Sequence, residues 1–393
     1  MNNRKPALHS GSFQPDDVTF LLHFLEPDYL GQISDAEGEV VLEEAPASPS
    51  YQHYFHLALD KYAGRLAKDI IVLAAQILLA DACNYTVKNQ SKESFQEGLV
   101  IASLARAGTP LGVLLARTLR QINVPCRHYS IGLCPVTGVD SAALDHILKE
   151  YRPEQLIFFD GWTAKGAVYK TLNQSLSKYN SKGKVAVEPR LYCLSDLASV
   201  CTGCATQEDY LIPSSLLNAT VCGLVSRTFT VAPEQYLPDS VNAFHHAFYF
   251  QQLEKFDLSQ FFVEFVWTEI GKLLGGEWRQ NLGKAMALHQ EYRREYRQGE
   301  SPGYRTATSN AKGTSADFLA VLCRKYDVSP ASIKPGITEA TRAMLRRNCR
   351  ALVVKNQTNP DVKHLLVLAS EKNVPVIEDL ELGCQAVALL VSK

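Results

Sequence analysis

No run of this 393-residue chain approaches the roughly 18 consecutive apolar residues needed to span a bilayer. The N-terminal stretch MNNRKPALHSGSFQPDD has no apolar core of signal-peptide length, so no membrane partner and a cytoplasmic location are expected. Net charge is nearly absent as well: 40 Lys and Arg against 41 Asp and Glu give −1. No global field therefore draws the chain onto nucleic acid or an anionic surface, and such binding requires a local patch. No second close cysteine pair accompanies Cys201-Thr-Gly-Cys204, which removes the usual zinc spacing and leaves Cys193 and Cys222 as distant partners. Ten cysteines without a signal peptide read as reduced thiols, and Cys201 and Cys204 as incidental loop thiols ahead of a redox pair. Internal repeats and low-complexity tracts are missing too.

What is present is ordinary globular composition, 46% hydrophobic and 21% charged, in a chain long enough for two or three domains. YFHLALDKYAGRLAKDIIVLAAQILLADACN has helical spacing and good helix formers, and predicts a long helix over a core. From Leu99 the rhythm changes to short apolar runs, each followed by a turn and a helix-period segment: LVIASL, ARAGTP, LGVLLARTLRQI; RHYSIGL, DSAALDHILKEY; QLIFF, DGWTAKG, AVYKTLNQSLSKY; then PRLYCLSDL. That alternation predicts an α/β fold with a mostly parallel sheet flanked by helices. The segment FDLSQFFVEFVWTEIGKLLGG predicts a helix closing the domain at Gly275-Gly276. HQEYRREYRQGESPGYRTATSNAKGTS loses apolar periodicity and gains Gly, Ser and Thr. The expected divisions are residues 13–285, a linker at 286–315, and a small domain of α-β-α character at 316–393.

In parallel sheets ligands bind at the carboxyl ends of strands, where loops meet helix N-termini. At FFDGWTAKGA the turn amides and helix dipole favour an anion, Lys165 adds a mobile positive charge, and Asp160 suits a sugar hydroxyl or a hydrated metal. A second loop, SLARAGTPLG, offers Arg106 and free amides for another phosphate group. Two anion-binding turns on one sheet edge point to a diphosphate-bearing sugar. Cysteine catalysis needs a base close in the fold, and Cys222 with His245 or His246 are the candidates. In the C-terminal part, Lys334, Arg342, Arg346, Arg347 and Arg350 accompany one acid, Glu339, an electrostatic footprint for phosphate backbones.

The blocks SLARAGTPLGVLL, HYSIGL, FFDGWTAKGA, EDYLIPSSLLNATVCGLVSRT and FHHAFYFQQLEKFDLSQFFVEFV resemble the phosphoribosyltransferase-like family of tellurium-resistance and stress gene clusters, often labelled cysteine protease StiP. The resemblance implies a phosphoribosyltransferase-like sheet that binds phosphoribosyl diphosphate, or a related ribosyl phosphate, with Mg²⁺ held mainly through the substrate. It implies Asp160, Lys165 and Arg106 as catalytic groups. Ala107, Gly108 and Thr109 would meet the diphosphate; Gly161, Trp162, Thr163, Ala164, Gly166 and Ala167 would surround the 5′-phosphate. Enzymes of that fold carry paired acids where this chain has Asp160-Gly161. KPGITEATRAML, ALVVKN and LASEKNVPVIED resemble the Pelota and kink-turn-binding superfamily, an α-β-α sandwich that binds RNA. That resemblance implies an RNA face built from Lys334, Gly336, Thr338, Glu339, Arg342 and Arg346, with Thr338 where the superfamily has asparagine. A non-catalytic nucleotide sensor, a cysteine peptidase and a plain RNA-binding protein remain alternatives.

Overall fold

A computed structural model describes residues 9–86, 96–183, 185–232, 244–298 and 315–391. The expected long helix forms as α1 (Pro49–Thr86). Six strands, β1 (Thr19–Leu21), β3 (Leu99–Leu104), β4 (Cys126–Ile131), β7 (Leu156–Thr163), β8 (Leu191–Asp196) and β9 (Gly203–Thr206), make one sheet in the order β1-β4-β3-β7-β8-β9. Every pairing in it is parallel. β3, β7 and β8 are almost continuously apolar, as strands covered on both faces must be. The α2 helix (Thr109–Gln121) follows β3, α3 (Ser141–Ile147) precedes β7, and α4 (Ala167–Lys182) follows it. One face packs on α1 and α2 together with α5 (Ser259–Leu274), the other on α3 and α4. Two short pairs complete this domain: β2 (His23–Phe24) with β10 (His246–Ala247), and β5 (Leu133–Cys134) with β6 (Gly138–Val139). No helix among the described residues is long and apolar enough to cross a membrane.

The α6 helix (Trp278–Gln298) packs on α1 and runs through Ala285, so the first part of the expected linker is helical. Its remainder, 299–314, lies outside the described residues. The C-terminal part is a four-stranded sheet, β11 (Ile333–Pro335), β14 (Ala386–Leu390), β12 (Cys349–Val354) and β13 (Val376–Glu378), in the order β11-β14-β12-β13. The period-2 alternation of β12 and β14 sends Ala351, Val353, Val387 and Leu389 toward α7 (Ser315–Tyr326). Leu352, Val354, Ala386 and Ala388 face the opposite way, toward α8 (Ile337–Arg346) and α9 (Lys363–Glu371). This is the expected α-β-α sandwich.

The two parts share a core. Ile337, Ala340 and Met344 of α8 and Leu365 of α9 belong to the same buried cluster as Tyr51, Phe55, Leu211, Ile212 and Leu216. Asp209 adds polar fastening: its Oδ1 accepts from Ile337 N (2.8 Å) and its Oδ2 from Gln385 N (2.7 Å). The first of these occupies an otherwise orphan amide at the start of α8. Gly336, at φ +89°, lets this backbone approach; a Cβ there would lie 3.3 Å from Asp209 Oδ1 and 3.8 Å from Ala164 Cβ.

Candidate functional site

The sequence places the end of the strand at Phe159 and the turn from Asp160 onward. In the structure β7 continues through Thr163, because β8 keeps pairing with it as far as Thr163↔Asp196. Asp160 therefore sits within the strand, and Gly161 lies under α2, where a Cβ would meet Leu111 Cδ1 at 2.9 Å. The turn expected to hold an anion is shorter, Ala164 to Gly166, closed by Thr163 Oγ1 accepting from Gly166 N (3.2 Å). Gly166, at φ +70°, is the N-cap of α4, and the exposed Ala167 opens that helix.

The residues expected to serve two separate sites meet here. Trp162 Nε1 donates to Glu339 Oε2 (3.2 Å), and Lys334 Nζ lies 3.8 Å from Glu339 Oε1. Lys165 Nζ donates to Pro330 O (2.8 Å), so the segment before α8 reaches over the turn. Burial pushes the Asp160 carboxyl up to about 7, with Glu339 adding repulsion and the Gly161 amide and Arg342 opposing. Burial and the neighbouring Lys334 hold Lys165 down to about 8. An acid and a base both drawn toward neutrality at one sheet edge mark a candidate active site. Because the neutral acid is favoured in the fold, Asp160 contributes stability that is present at low pH and lost as pH rises from about 4 to about 7. Trp162 shares Glu339 with Asp160, so its fluorescence is expected to titrate with a midpoint near 7, and Asp160→Asn to abolish that transition.

The other expected residues are engaged elsewhere. Nη2 and Nη1 of Arg106 donate to Glu44 at 2.6 and 2.9 Å, and Nη1 also donates to Val225 O at 3.0 Å. Gly108 N donates to Leu104 O (3.1 Å), and Thr109 Oγ1 bonds Ser130 Oγ (2.8 Å) against β4. Ala107 is half-buried against the core. On α8, Thr338 is buried, donating to Tyr210 O (2.8 Å) and accepting from Ile212 N (3.0 Å). Arg342 is 7% exposed and donates to Leu217 O (2.9 Å). These side chains fasten the domains together, because α8 presents its first turn to the first domain instead of to solvent. Arg346 stands exposed at the far end of the helix.

The expected Cys222–His245 pairing does not form. Cys222 is fully buried beside Arg342, and burial raises its thiol pKa. His246 is stacked on Phe229. His245 instead meets Cys134, with Nδ1 3.5 Å from Sγ, while Asp140 Oδ2 accepts from the His245 backbone N at 2.5 Å. Gly132 leaves room for the ring, since a Cβ there would lie 2.5 Å from Nδ1. Burial pushes the Cys134 thiol up to about 12 and lowers the His245 pKa, so the pair rests as thiol and neutral imidazole. Cys193 and Cys201 also come together, Sγ to Sγ 3.2 Å, and no group of three or more metal-ligating side chains occurs among the described residues.

Fold and site together define a parallel α/β domain whose sheet edge is covered by a small α-β-α domain. Residues 11–267 match the family described as "Tellurite-like stress resistance cysteine protease StiP", and the chain belongs to that family. Residues 314–392 match the "PELOTA RNA binding domain". A curated relative, "Cysteine protease StiP" of Acinetobacter baylyi, is 29% identical over 382 residues, covering 93% of this chain and 90% of its own. Among solved structures, the hypoxanthine phosphoribosyltransferase of Trypanosoma cruzi aligns at 14% identity and a TM-score of 0.27, over 38% of this chain and 82% of that one. A glutamine mutant from an analysis of an invariant aspartic acid in HPRTs aligns at 13% and 0.28, over 38% and 83%.

Proposed function

We propose that this chain is a ribosyl-phosphate-binding enzyme of the glycosyl-transfer class, using phosphoribosyl diphosphate or a related ribosyl phosphate, with its site closed by its own RNA-binding domain. The observation that carries this reading is the opposed tuning of Asp160 and Lys165 beside the turn that opens α4. The first-turn amides of α4 and Lys165 would hold a 5′-phosphate, since the helix start supplies both donors and dipole. Asp160 would accept from the ribose hydroxyls, and Trp162 and Glu339 would wall the other side. Asp160 and Glu339 repel one another across the site. They fit the one or two protein carboxylates that Mg²⁺ uses alongside substrate phosphates. When bound, Mg²⁺ would neutralise charge on a departing diphosphate. The chain's own part is orientation and exclusion of water by the covering domain. RNA is the expected partner of the second domain, and it would compete with the closed site for Lys334 and Glu339.

Calorimetric titration of phosphoribosyl diphosphate with Mg²⁺ tests this. Wild type is expected to bind saturably, and an Asp160→Asn, Lys165→Ala double variant to lose at least tenfold in affinity. Equal binding by both proteins, or none by wild type, would sink the reading.

The contact between Cys134 and His245 favours a second reading, the peptidase that the family description names. Proton transfer from Sγ to Nδ1 would give the thiolate that attacks a peptide carbonyl; the C–N bond would break as the imidazolium returns its proton to the leaving amine, and water would then release the acyl group from Sγ. Cys134→Ala is then expected to abolish cleavage of a casein substrate while Cys222→Ala preserves it; activity surviving in the first variant excludes the pair.

A further inference from the structure

Cys193 and Cys204 share with Asp160 one face of the parallel sheet. Asp160 of β7 is the register partner of Cys193 in β8, and Cys193 of Cys204 in β9; partners in adjacent parallel strands project to the same side. The loop 197–202 that joins β8 to β9 adds a third thiol to this face. Leu197 N donates to Thr163 O (3.0 Å) and Thr202 N to Leu191 O (2.7 Å), so both ends of the loop are anchored. Asp196 Oδ2 accepts from Cys201 N (2.8 Å), which leaves Cys201 Sγ 3.2 Å from Cys193 Sγ. Both thiols are free. Cys193 is fully buried and Cys201 half-buried, so a small solute reaches Cys201 first.

The same loop touches the candidate site. A Cβ on Gly166, the N-cap of α4, would lie 3.0 Å from Val200 Cγ1 and 3.7 Å from Ala198 Cβ. Val200 adjoins Cys201, so a shift of one carries the other. A disulfide holds its sulfurs about 2.05 Å apart. Closing the gap falls to Cys201, because ladders to β7 and β9 fix Cys193 on both sides.

Contact with Cys193 favours the thiolate of Cys201, but burial and the carboxylates of Asp196 and Asp160 outweigh it and leave the Cys201 pKa raised. Burial raises the Cys193 pKa well above the ordinary thiol value. The pair therefore rests as two thiols, and an oxidant is needed to join them.

We propose that Cys201 and Cys193 form a reversible oxidation site, a dithiol that a hydroperoxide converts to a disulfide, and that the disulfide loosens the turn opening α4. Cys201 Sγ attacks the peroxide, the O–O bond breaks, and a sulfenic acid forms with release of water. Cys193 Sγ then attacks the sulfenic sulfur, the S–O bond breaks, and a second water leaves. Two thiols thereby lose two electrons and two protons, which one hydrogen peroxide takes up to give two waters.

The test treats the full chain with hydrogen peroxide at pH 8 and blocks remaining thiols with N-ethylmaleimide. Cleavage before aspartates then separates the two cysteines, since Asp196 lies between them. Mass spectrometry is expected to find the fragment ending at Ser195 joined through Cys193 to Cys201 of the next fragment, lighter by two hydrogens than the sum of the two. Dithiothreitol is expected to release it. Cys204→Ser should keep the join and Cys201→Ser lose it. Amide hydrogen exchange over residues 164–170 is expected to be at least about twofold faster in the oxidised protein, and unaffected by peroxide in Cys201→Ser. A join through Cys204 instead, joins only between molecules, or folded wild type left as free thiols would overturn the site. A join with unchanged exchange would overturn its coupling to α4. Neither readout involves a ligand, so failure here is distinguishable from failure of the ribosyl-phosphate reading.

Discussion

Asp209→Ala is expected to loosen the second domain and to lower the unfolding free energy by about 2–4 kcal/mol, the range for stranding two buried amides. Asp209 accepts from Ile337 N and Gln385 N, so its loss uncaps α8 and frees the β14 side of the sandwich in one step. The shared apolar cluster around Ile337 and Met344 then holds the domains without a polar latch. Denaturant unfolding monitored by circular dichroism reads the stability. On the proposed role of the second domain, RNA binding by the variant is expected to tighten, because the first turn of α8 is released. A variant as stable as wild type would show that the latch contributes nothing. Burial also pushes Asp209 up to about 6, from an ordinary 3.8. A raised acid pKa means the folded state binds the proton more tightly, so this contribution is present at low pH and lost as pH climbs from about 4 to about 6. In Asp209→Asn that slope is expected to vanish while one of the two acceptor bonds remains.

The repeating strand, turn and helix between Leu99 and Asp196 was legible because short apolar runs, turns and helix-period segments all agreed. β1 and β9 gave no comparable signal: at three and four residues, on the sheet edges, they are made by their neighbours rather than by their own pattern. The extension of β7 past Asp160 was hidden for a related reason, since only the ladder with β8 carries the strand through Gly161. The basic residues of α8 were visible as charge, yet charge does not say what faces it. Arg342 and Thr338 turned out to bond carbonyls of the first domain, and Asp209, which accepts from Ile337 N at the start of α8, lies in a stretch without periodicity. Likewise no spacing connects Cys134 to His245, which are 111 positions apart and meet only through the β5–β6 hairpin.

Gly108→Ala is expected to destabilise the first domain at its candidate site. A Cβ at this position would lie 2.9 Å from Phe159 O, 3.1 Å from Leu104 O and 3.2 Å from Asp160 Cα. All three are backbone atoms, held by pairing of β3 with β4, of β3 with β7 and of β7 with β8, and none can swing aside as a side-chain tip could. The residue is not left-handed, at φ −71°, so the effect is one of space alone. Overpacking of this kind costs about 1–3 kcal/mol. The strain falls where α2 meets Asp160, so on the proposed function loss of ribosyl-phosphate affinity is expected together with the loss of stability. Gly64→Ala supplies the contrast: it lies within α1 with nothing within 4 Å of the added atom, and is expected to stabilise by up to about 1 kcal/mol. Denaturant unfolding and calorimetric titration on both variants separate the outcomes. If Gly108→Ala lost stability but kept its affinity, Asp160 would not be positioned by α2, and its tuning would have to come from the covering domain alone.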